Sequence, residues 1–213
     1  GGGNLFQGKM SFAIASEVVP GLAGLEGAAW LAGGFYALMV GAVIIGGIRR
    51  IGDVTSRLVP AMCVSYAAVC LLIILLNITA VPALFLEIFR QAFTPAAAYG
   101  GFLGVLIQGI RRAAFSNEAG MGSASIAHAA ARTNEPVREG VVAMIGPFID
   151  TVVICTLTAL TILITGVVEP GQTMNWTEGA VLTARAFGTL HIAAEYLLVL
   201  AVFVFAYSTM IAW

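Results

Sequence analysis

Charged residues are scarce in this chain of 213 residues. They make up 10% of it, whereas a soluble globular domain carries roughly 25%. The net charge of −1 provides neither a basic patch for nucleic acid nor an acidic tail. These shortages exclude an ordinary soluble domain and argue against a nucleic-acid partner.

Cysteine and histidine are also rare, with three and two copies. The sequence has no cluster with metal-site spacing and no phosphate-binding loop, so no cofactor is expected. Cys63, Cys70 and Cys155 all lie inside apolar runs. This position favours reduced, buried packing residues over a disulfide or a metal site.

Apolar residues are in excess: they form 60% of the chain, and the mean hydropathy is +0.97. Apolar runs of about 20 residues recur along its length, as membrane helices require. We therefore predict an all-α, polytopic membrane protein. The predicted spans are 1–18, 28–48, 58–78, 96–131, 140–167 and 192–213, with an amphipathic helix at 80–95 and a short surface helix at 180–190.

The ends of the chain and its loop charges refine this prediction. The sequence begins at Gly1 without methionine and ends at Trp213 inside an apolar run, so we expect the middle part of a longer protein. Two predicted loops on one side of the membrane are rich in arginine, which assigns that side to the cytoplasm. These arginines are Arg49, Arg50 and Arg57 in one loop, and Arg132 and Arg138 in the other.

A polar, glycine-rich stretch interrupts the fourth span; it reads Phe115-Ser116-Asn117-Glu118-Ala119-Gly120-Met121-Gly122-Ser123-Ala124. Irregular backbone at membrane depth persists only where it lines a site or a cavity. In secondary transporters such breaks hold substrate and coupling ion. The stretch therefore predicts a transporter, although a kinked helix stabilised by its neighbours is an alternative. A break at residues 99–104 is another, because Arg111 and Arg112 are costly near the midplane.

Polar side chains also mark the first and last spans. Asn4, Gln7 and Ser11 form a stripe that faces either a cavity or neighbouring helices. Ser208 and Thr209 are adjacent hydroxyls that bond either a ligand or their own helix backbone.

Ionisable residues supply further candidates. Glu118 either pairs with a nearby arginine or acts as a functional carboxylate, and Asp150 is an intramembrane carboxylate. Ser125 and His128 lie one helical turn apart, the spacing on which a membrane serine hydrolase would rest.

The glycine-rich stretch, followed by Ile126-Ala127-His128-Ala129-Ala130, resembles the signature of the alanine or glycine:cation symporters, the sodium:alanine symporter family. The likeness runs through nearly the whole chain in the expected order. Further matching segments are Gly3-Asn4-Leu5-Phe6-Gln7, Gly46-Gly47-Ile48-Arg49-Arg50-Ile51, Glu135-Pro136-Val137-Arg138-Glu139-Gly140, Pro147-Phe148-Ile149-Asp150-Thr151, Cys155-Thr156 and Phe205-Ala206-Tyr207-Ser208-Thr209.

The resemblance implies a fold of two inverted five-helix repeats, like that of the neurotransmitter:sodium symporters, with broken family helices one and six. On that frame residues 1–213 belong to a single transporter domain, incomplete at both ends, that runs from part of family helix three to family helix eight. The break falls at Asn117 in family helix six. The substrate-binding residues that the resemblance implies are Gln7, Phe12, Asn117, Glu118, Gly120, Thr209 and Trp213. Ser208 and Thr209 would coordinate sodium together with family helix one.

The function so implied is sodium-coupled symport of alanine or glycine by alternating access. The partners would be the amino acid, sodium and the lipid bilayer of a plasma membrane, of the bacterial inner-membrane kind. The sequence leaves open the oligomeric state and sodium versus proton coupling. Its alternatives are a membrane hydrolase that uses Ser125 and His128, and an amino-acid-binding homologue that does not transport.

Overall fold

The structure is a computed structural model, and every regular element in the part it describes is helical. The described residues are 2–19, 21–95, 102–116, 125, 128–129, 131–168 and 178–212. The helices are α1 (Gly2–Val18), α2 (Ala28–Ile44), α3 (Gly47–Leu76), α4 (Val81–Ala92), α5 (Phe102–Ser116), α6 (Pro136–Phe148), a π-helical segment (Ile149–Ile154), α7 (Cys155–Thr165), α8 (Glu178–Gly188) and α9 (Ile192–Ala212).

Among the described residues, three helical stretches are long and apolar enough to cross a membrane, namely Gly47–Leu76, Pro136–Thr165 and Ile192–Ala212. A shorter apolar helix, Ala28–Ile44, adds to them. Length and hydropathy thus confirm the predicted all-helical, polytopic membrane protein. Large apolar side chains such as Trp30 and Ile45 stay 87% and 88% exposed, as lipid-facing residues do in membrane helices.

The predicted arginine-rich loop at residues 49–57 is wrong, because these residues belong to α3. Only Ile45 and Gly46 separate α2 from α3, and Gly47 adopts φ +73°. Only glycine enters this left-handed region without steric cost, so the turn is short and the next helix begins at once. The arginines are therefore carried on the first turns of a helix.

The described chain forms two compact units, one of residues 1–75 and 161–213 and one of residues 76–160. In the first unit α1 packs along α9 and α8, and α2 also packs on α9. One core cluster joins α2 to α9; its buried members are Tyr36, Val43, Ala206, Tyr207, Met210 and Ile211. This packing places α1, α2 and α9 around the candidate site.

The short helix predicted on the surface at residues 180–190 is buried, so that prediction is wrong. Its counterpart α8 packs against α1 and α9, and Ala184, Ala186 and Phe187 have at most 1% of their surface exposed. Alanine allows close approach of neighbouring helix backbones, which explains the burial of a segment with little hydropathy of its own. Phe187 also packs against Tyr66 of α3, with ring centroids 5.5 Å apart.

The second unit contains α4, α5, α6 and the π-helical segment. The amphipathic helix predicted at 80–95 corresponds to α4, which begins at Val81 with Pro82 in its first turn. The span predicted at 140–167 is one continuous helical stretch from Pro136 to Thr165. Both proposed positions of the break, residues 99–104 and 117–124, involve residues outside the described part of the chain.

The three cysteines differ in burial. Cys70 is fully buried and Cys63 half-buried, whereas Cys155 is exposed. The prediction of a buried Cys155 is therefore wrong. Cys155 follows the π-helical segment in a stretch where Val152 and Val153 are also exposed, so membership of an apolar run did not guarantee a packed partner.

Candidate substrate and ion site

A cavity of about 730 Å³ lies between α1 and α2 and is closed on one side by Met210 of α9. One face of α1 and the small residues of α2 form its walls. The lining residues are Asn4, Leu5, Gly8, Lys9, Phe12, Ala29, Ala32, Gly33, Tyr36, Ala37, Val40 and Met210. Alanine and glycine leave this space open because they carry little or no side chain.

Phe12 and Tyr36 also line a second, smaller cavity of about 340 Å³. Ser11, on α1, is hydrogen-bonded to the Tyr36 hydroxyl of α2. Tyr36 stacks on Phe203 of α9, with ring centroids 4.8 Å apart. These contacts hold together the wall between the two cavities. Of the two roles predicted for the polar stripe of α1, Ser11 has the contact with a neighbouring helix.

Asn4 presents the least expected feature of the first cavity. Its Oδ1 atom is buried and has no hydrogen-bond partner among the described residues. A buried acceptor without a partner costs about 1–3 kcal/mol, and such groups in native proteins call for an explanation. Asn4 lines the cavity, while its Oδ1 atom has no surface open to it.

Replacing Asn4 with leucine is expected to raise the melting temperature of the ligand-free, full-length protein by about 2–4 °C. Leucine has a similar shape and no acceptor to desolvate, so the unfavourable burial is removed. A thermal unfolding series of the wild type and the variant measures this change.

The matched control for this prediction is Asn134→Leu, because Asn134 is exposed in the connection before α6. That variant should leave the melting temperature unchanged. A lower melting temperature for Asn4→Leu would contradict the prediction and show that the amide stabilises the fold.

The hydroxyl pair of α9 lies next to this core. Ser208 is buried, and its Oγ donates a hydrogen bond to the Phe205 carbonyl at 3.0 Å. A hydroxyl that donates in this way still has oxygen lone pairs for a cation. Thr209 is half-buried, and its hydroxyl has no hydrogen-bond partner within residues 178–212 or elsewhere in the described chain.

Asp150 lies in the π-helical segment Ile149–Ile154, three residues after Pro147. A proline inside a helix removes one backbone hydrogen bond, and π-helical turns are frequent at functional sites. Asp150 is half-buried and already engaged in an interaction. The structure therefore places this intramembrane carboxylate at an irregular point of a membrane-spanning helix.

His128 is in contact with Glu139, with 2.6 Å between Nδ1 and Oε1. Sequence reasoning missed this pair because the two residues are eleven positions apart and belong to different segments. Ser125, the supposed nucleophile, is exposed.

The structure tests only part of the predicted site. Phe12 lines both cavities, and Gln7 is half-buried on the same helix. Asn117, Glu118, Gly120 and Trp213 lie outside the described residues.

Sequence reasoning also missed three residues of the larger cavity, Lys9, Tyr36 and Met210. A charged residue within an apolar span was a signal that would have identified Lys9. Tyr36 and Met210 gave no local signal, because they are ordinary residues of apolar helices.

Taken together, the helices and the cavity between them define a polytopic helical membrane protein. Comparison of the sequence with known families is more specific. A family model described as "Sodium:alanine symporter family" matches residues 2–213. The chain therefore belongs to the sodium:alanine symporter family, a family of membrane transporters, and is a multi-pass protein of the plasma membrane. No solved structure gives a significant match.

Individual relatives support this assignment. The chain is 47% identical over 156 residues to an uncharacterized transporter, YflA, of Bacillus subtilis. The matched region covers 71% of this chain and 33% of that protein. It is 42% identical over 185 residues to the sodium/alanine symporter AgcS of Methanococcus maripaludis, covering 86% and 40%. It is 35% identical over 199 residues to the sodium/proton-dependent alanine carrier protein of Bacillus sp. strain PS3, covering 84% and 43%.

Two consequences follow for the predictions. The chain spans 33–43% of these relatives' length. The alternative of a membrane hydrolase that uses Ser125 and His128 is wrong, because the family and its named relatives are transporters.

Proposed function

We propose that this chain is part of a sodium-coupled symporter that carries a small neutral amino acid, alanine or glycine, across the membrane by alternating access. The observation that carries the proposal is the polar, glycine-rich stretch from Phe115 to Ala124 within a chain of this family. Such a break provides free half-helix ends and backbone carbonyls for ligands at membrane depth. Residues 1–213 then belong to one transporter domain, from part of family helix three to family helix eight.

The substrate residues in this proposal come from three segments. Asn117, Glu118 and Gly120 of the break would face the amino acid, and the residues from Ala119 onward would direct helix N–H groups at its carboxylate. Gln7 and Phe12 of α1 would contact it from another side. Thr209 and Trp213 would complete the wall.

Support from the described residues comes from Phe12, which lines a cavity with five alanine and glycine residues among its other members. Small residues at Ala119, Gly120, Gly122 and Ala124 would likewise let a small substrate approach the backbone of the break closely. A substrate with a methyl group or a hydrogen as side chain suits that space.

Sodium is the proposed co-substrate, with Ser208 and Thr209 as ligands. Sodium is a hard cation, for which neutral oxygen atoms are suitable ligands. The Ser208 hydroxyl donates its hydrogen to the Phe205 carbonyl, so its oxygen lone pairs stay available to a cation. Two hydroxyls alone do not complete a coordination shell, so family helix one is expected to provide further oxygens.

The proposal is tested by uptake of labelled alanine and glycine into liposomes that contain the full-length protein. We expect accumulation above the equilibrium level with an inward sodium gradient and none when potassium replaces sodium. Because binding of sodium and of amino acid is reciprocally coupled, sodium should also raise the affinity for alanine. Folded protein that accumulates neither amino acid under either ion would refute this function and leave the family assignment intact.

A further inference from the structure

The His128–Glu139 pair connects two segments that matter for transport. His128 follows the glycine-rich stretch, and Glu139 lies in the first turn of α6, the start of a membrane-spanning helix. Their side chains are 35% and 25% exposed, and the contact between Nδ1 and Oε1 measures 2.6 Å. The pair is thus partly shielded from water. It links His128, which precedes the connection at residues 131–135, to α6, which follows that connection.

Glu139 is well placed to hold a negative charge. The N-terminus of a helix carries a partial positive charge, and carboxylates in the first turn are favoured there. The backbone N–H of Glu139 also donates to the Glu135 carbonyl at 3.4 Å, which helps to define the turn. A carboxylate in this position attracts a protonated imidazole.

Within the described residues of this unit, no other charged group forms an ion pair with His128 or Glu139. Arg132, Glu135 and Arg138 are exposed, and within the described residues they form no ion pair. Glu87, on α4 of the same unit, accepts a hydrogen bond from Gln91 of its own helix at 2.7 Å. Asp150 lies more than two helical turns beyond Glu139, in the π-helical segment.

We propose that His128 and Glu139 form a proton-binding site, separate from the substrate and sodium residues, whose occupancy makes transport depend on pH. The inference rests on the proposed symport function. Histidine is the side chain that ordinarily gains and loses charge between pH 5 and 8. With the proton bound the contact is an ion pair, and without it the contact is a hydrogen bond between a neutral ring and a carboxylate.

The strength of the His128–Glu139 contact changes with pH in a definite direction. Attraction between opposite charges is present only while the imidazole is protonated, so the tie between His128 and α6 is strongest in acid and weakens as the pH rises. Alternating access requires the break and the neighbouring helices to rearrange. A stronger tie in this connection therefore slows the cycle, and turnover should increase from acid to neutral pH.

The first test measures sodium-driven alanine uptake by the full-length protein from pH 5.5 to 8. Wild type should be about threefold slower at pH 5.5 than at pH 7.5, the size expected for one partly exposed ion pair. His128→Gln and Glu139→Gln should each flatten this dependence. His191→Gln is the matched control, because His191 is the other histidine of this chain, is exposed, and accepts a hydrogen bond from the Ala193 N–H at 3.1 Å.

The second test does not require transport. Melting temperatures of wild type, both single variants and the double variant form a double-mutant cycle at pH 5.5 and again at pH 8. The coupling between His128 and Glu139 should be larger at pH 5.5, by about 2 °C in melting temperature. This readout isolates the pair from general effects of acid on the protein.

The outcomes separate the two proposals. If wild type accumulates alanine but His128→Gln has the same pH profile as wild type, the proton-site inference is overturned and symport stands. If no variant transports, symport fails, and the cycle alone decides about the pair. Equal coupling at both pH values would show a hydrogen bond without a role in proton binding, and would also overturn the inference.

Discussion

Replacing Asn117 with alanine is expected to raise the alanine concentration for half-maximal uptake by about ten- to a hundredfold, because hydrogen bonds to charged groups contribute about 1.5–3 kcal/mol each. The carboxamide of Asn117 would contact the charged ends of the amino-acid substrate in a site with little water, where no solvent molecule replaces it. Uptake of labelled alanine over a range of substrate concentrations, at saturating sodium, measures the effect.

The matched control for Asn117→Ala is Asn134→Ala, the same substitution at an exposed position of the connection before α6. That variant should retain the wild-type substrate dependence. Equal alanine concentrations at half-maximal uptake for Asn117→Ala and wild type would remove Asn117 from the substrate site. A variant with unchanged affinity and lower maximal rate would instead indicate a role in the conformational change.

Removing both hydroxyls of α9 in Ser208→Ala/Thr209→Val is expected to raise the sodium concentration for half-maximal uptake by about tenfold or more. Alanine and valine are close in shape to serine and threonine, so packing in the buried cluster around Tyr207 and Met210 is preserved. On the proposed function, sodium would lose two oxygen atoms from its coordination shell. Uptake measured against sodium concentration at fixed alanine tests this directly.

Thr183→Val provides the control for the hydroxyl variant. Thr183 is buried on α8, and its hydroxyl donates to the Gly179 carbonyl at 3.1 Å, a contact within its own helix. Its loss should leave the sodium curve unchanged. If the α9 double variant also gives the wild-type curve, then Ser208 has only its bond to the Phe205 carbonyl and the sodium site lies elsewhere.

Several features of the fold could be predicted from local sequence alone. The membrane spans are evident because an apolar run of sufficient length has one favourable environment, the lipid interior. The amphipathic helix α4 and the long stretch from Pro136 to Thr165 were predicted within a few residues. These predictions succeeded because hydropathy and its periodicity are properties of each segment by itself.

Two of the failures concern what a segment packs against. Residues 180–190 were predicted on the surface, but α8 is buried between α1 and α9 because its alanines allow close helix contact. Cys155 was predicted to be buried, yet it is exposed among the described residues. Both outcomes depend on partners that the local sequence does not specify. The third failure is local, because Arg49, Arg50 and Arg57 were predicted in a loop, whereas the glycine turn at Gly47 lets α3 begin before them.

The same division applies to the candidate site. The residue types of the glycine-rich stretch and of the Ser208–Thr209 pair indicated a transporter by their chemistry, and the order of motifs led to the family. Only the tertiary structure showed that Asn4 keeps a buried acceptor on a cavity wall, that Lys9 and Tyr36 share that wall, and that His128 contacts Glu139. By itself, the sequence determined a polytopic membrane transporter, because hydropathy and backbone chemistry act locally. The tertiary structure decided which polar groups meet, because those contacts form between residues that are distant along the chain.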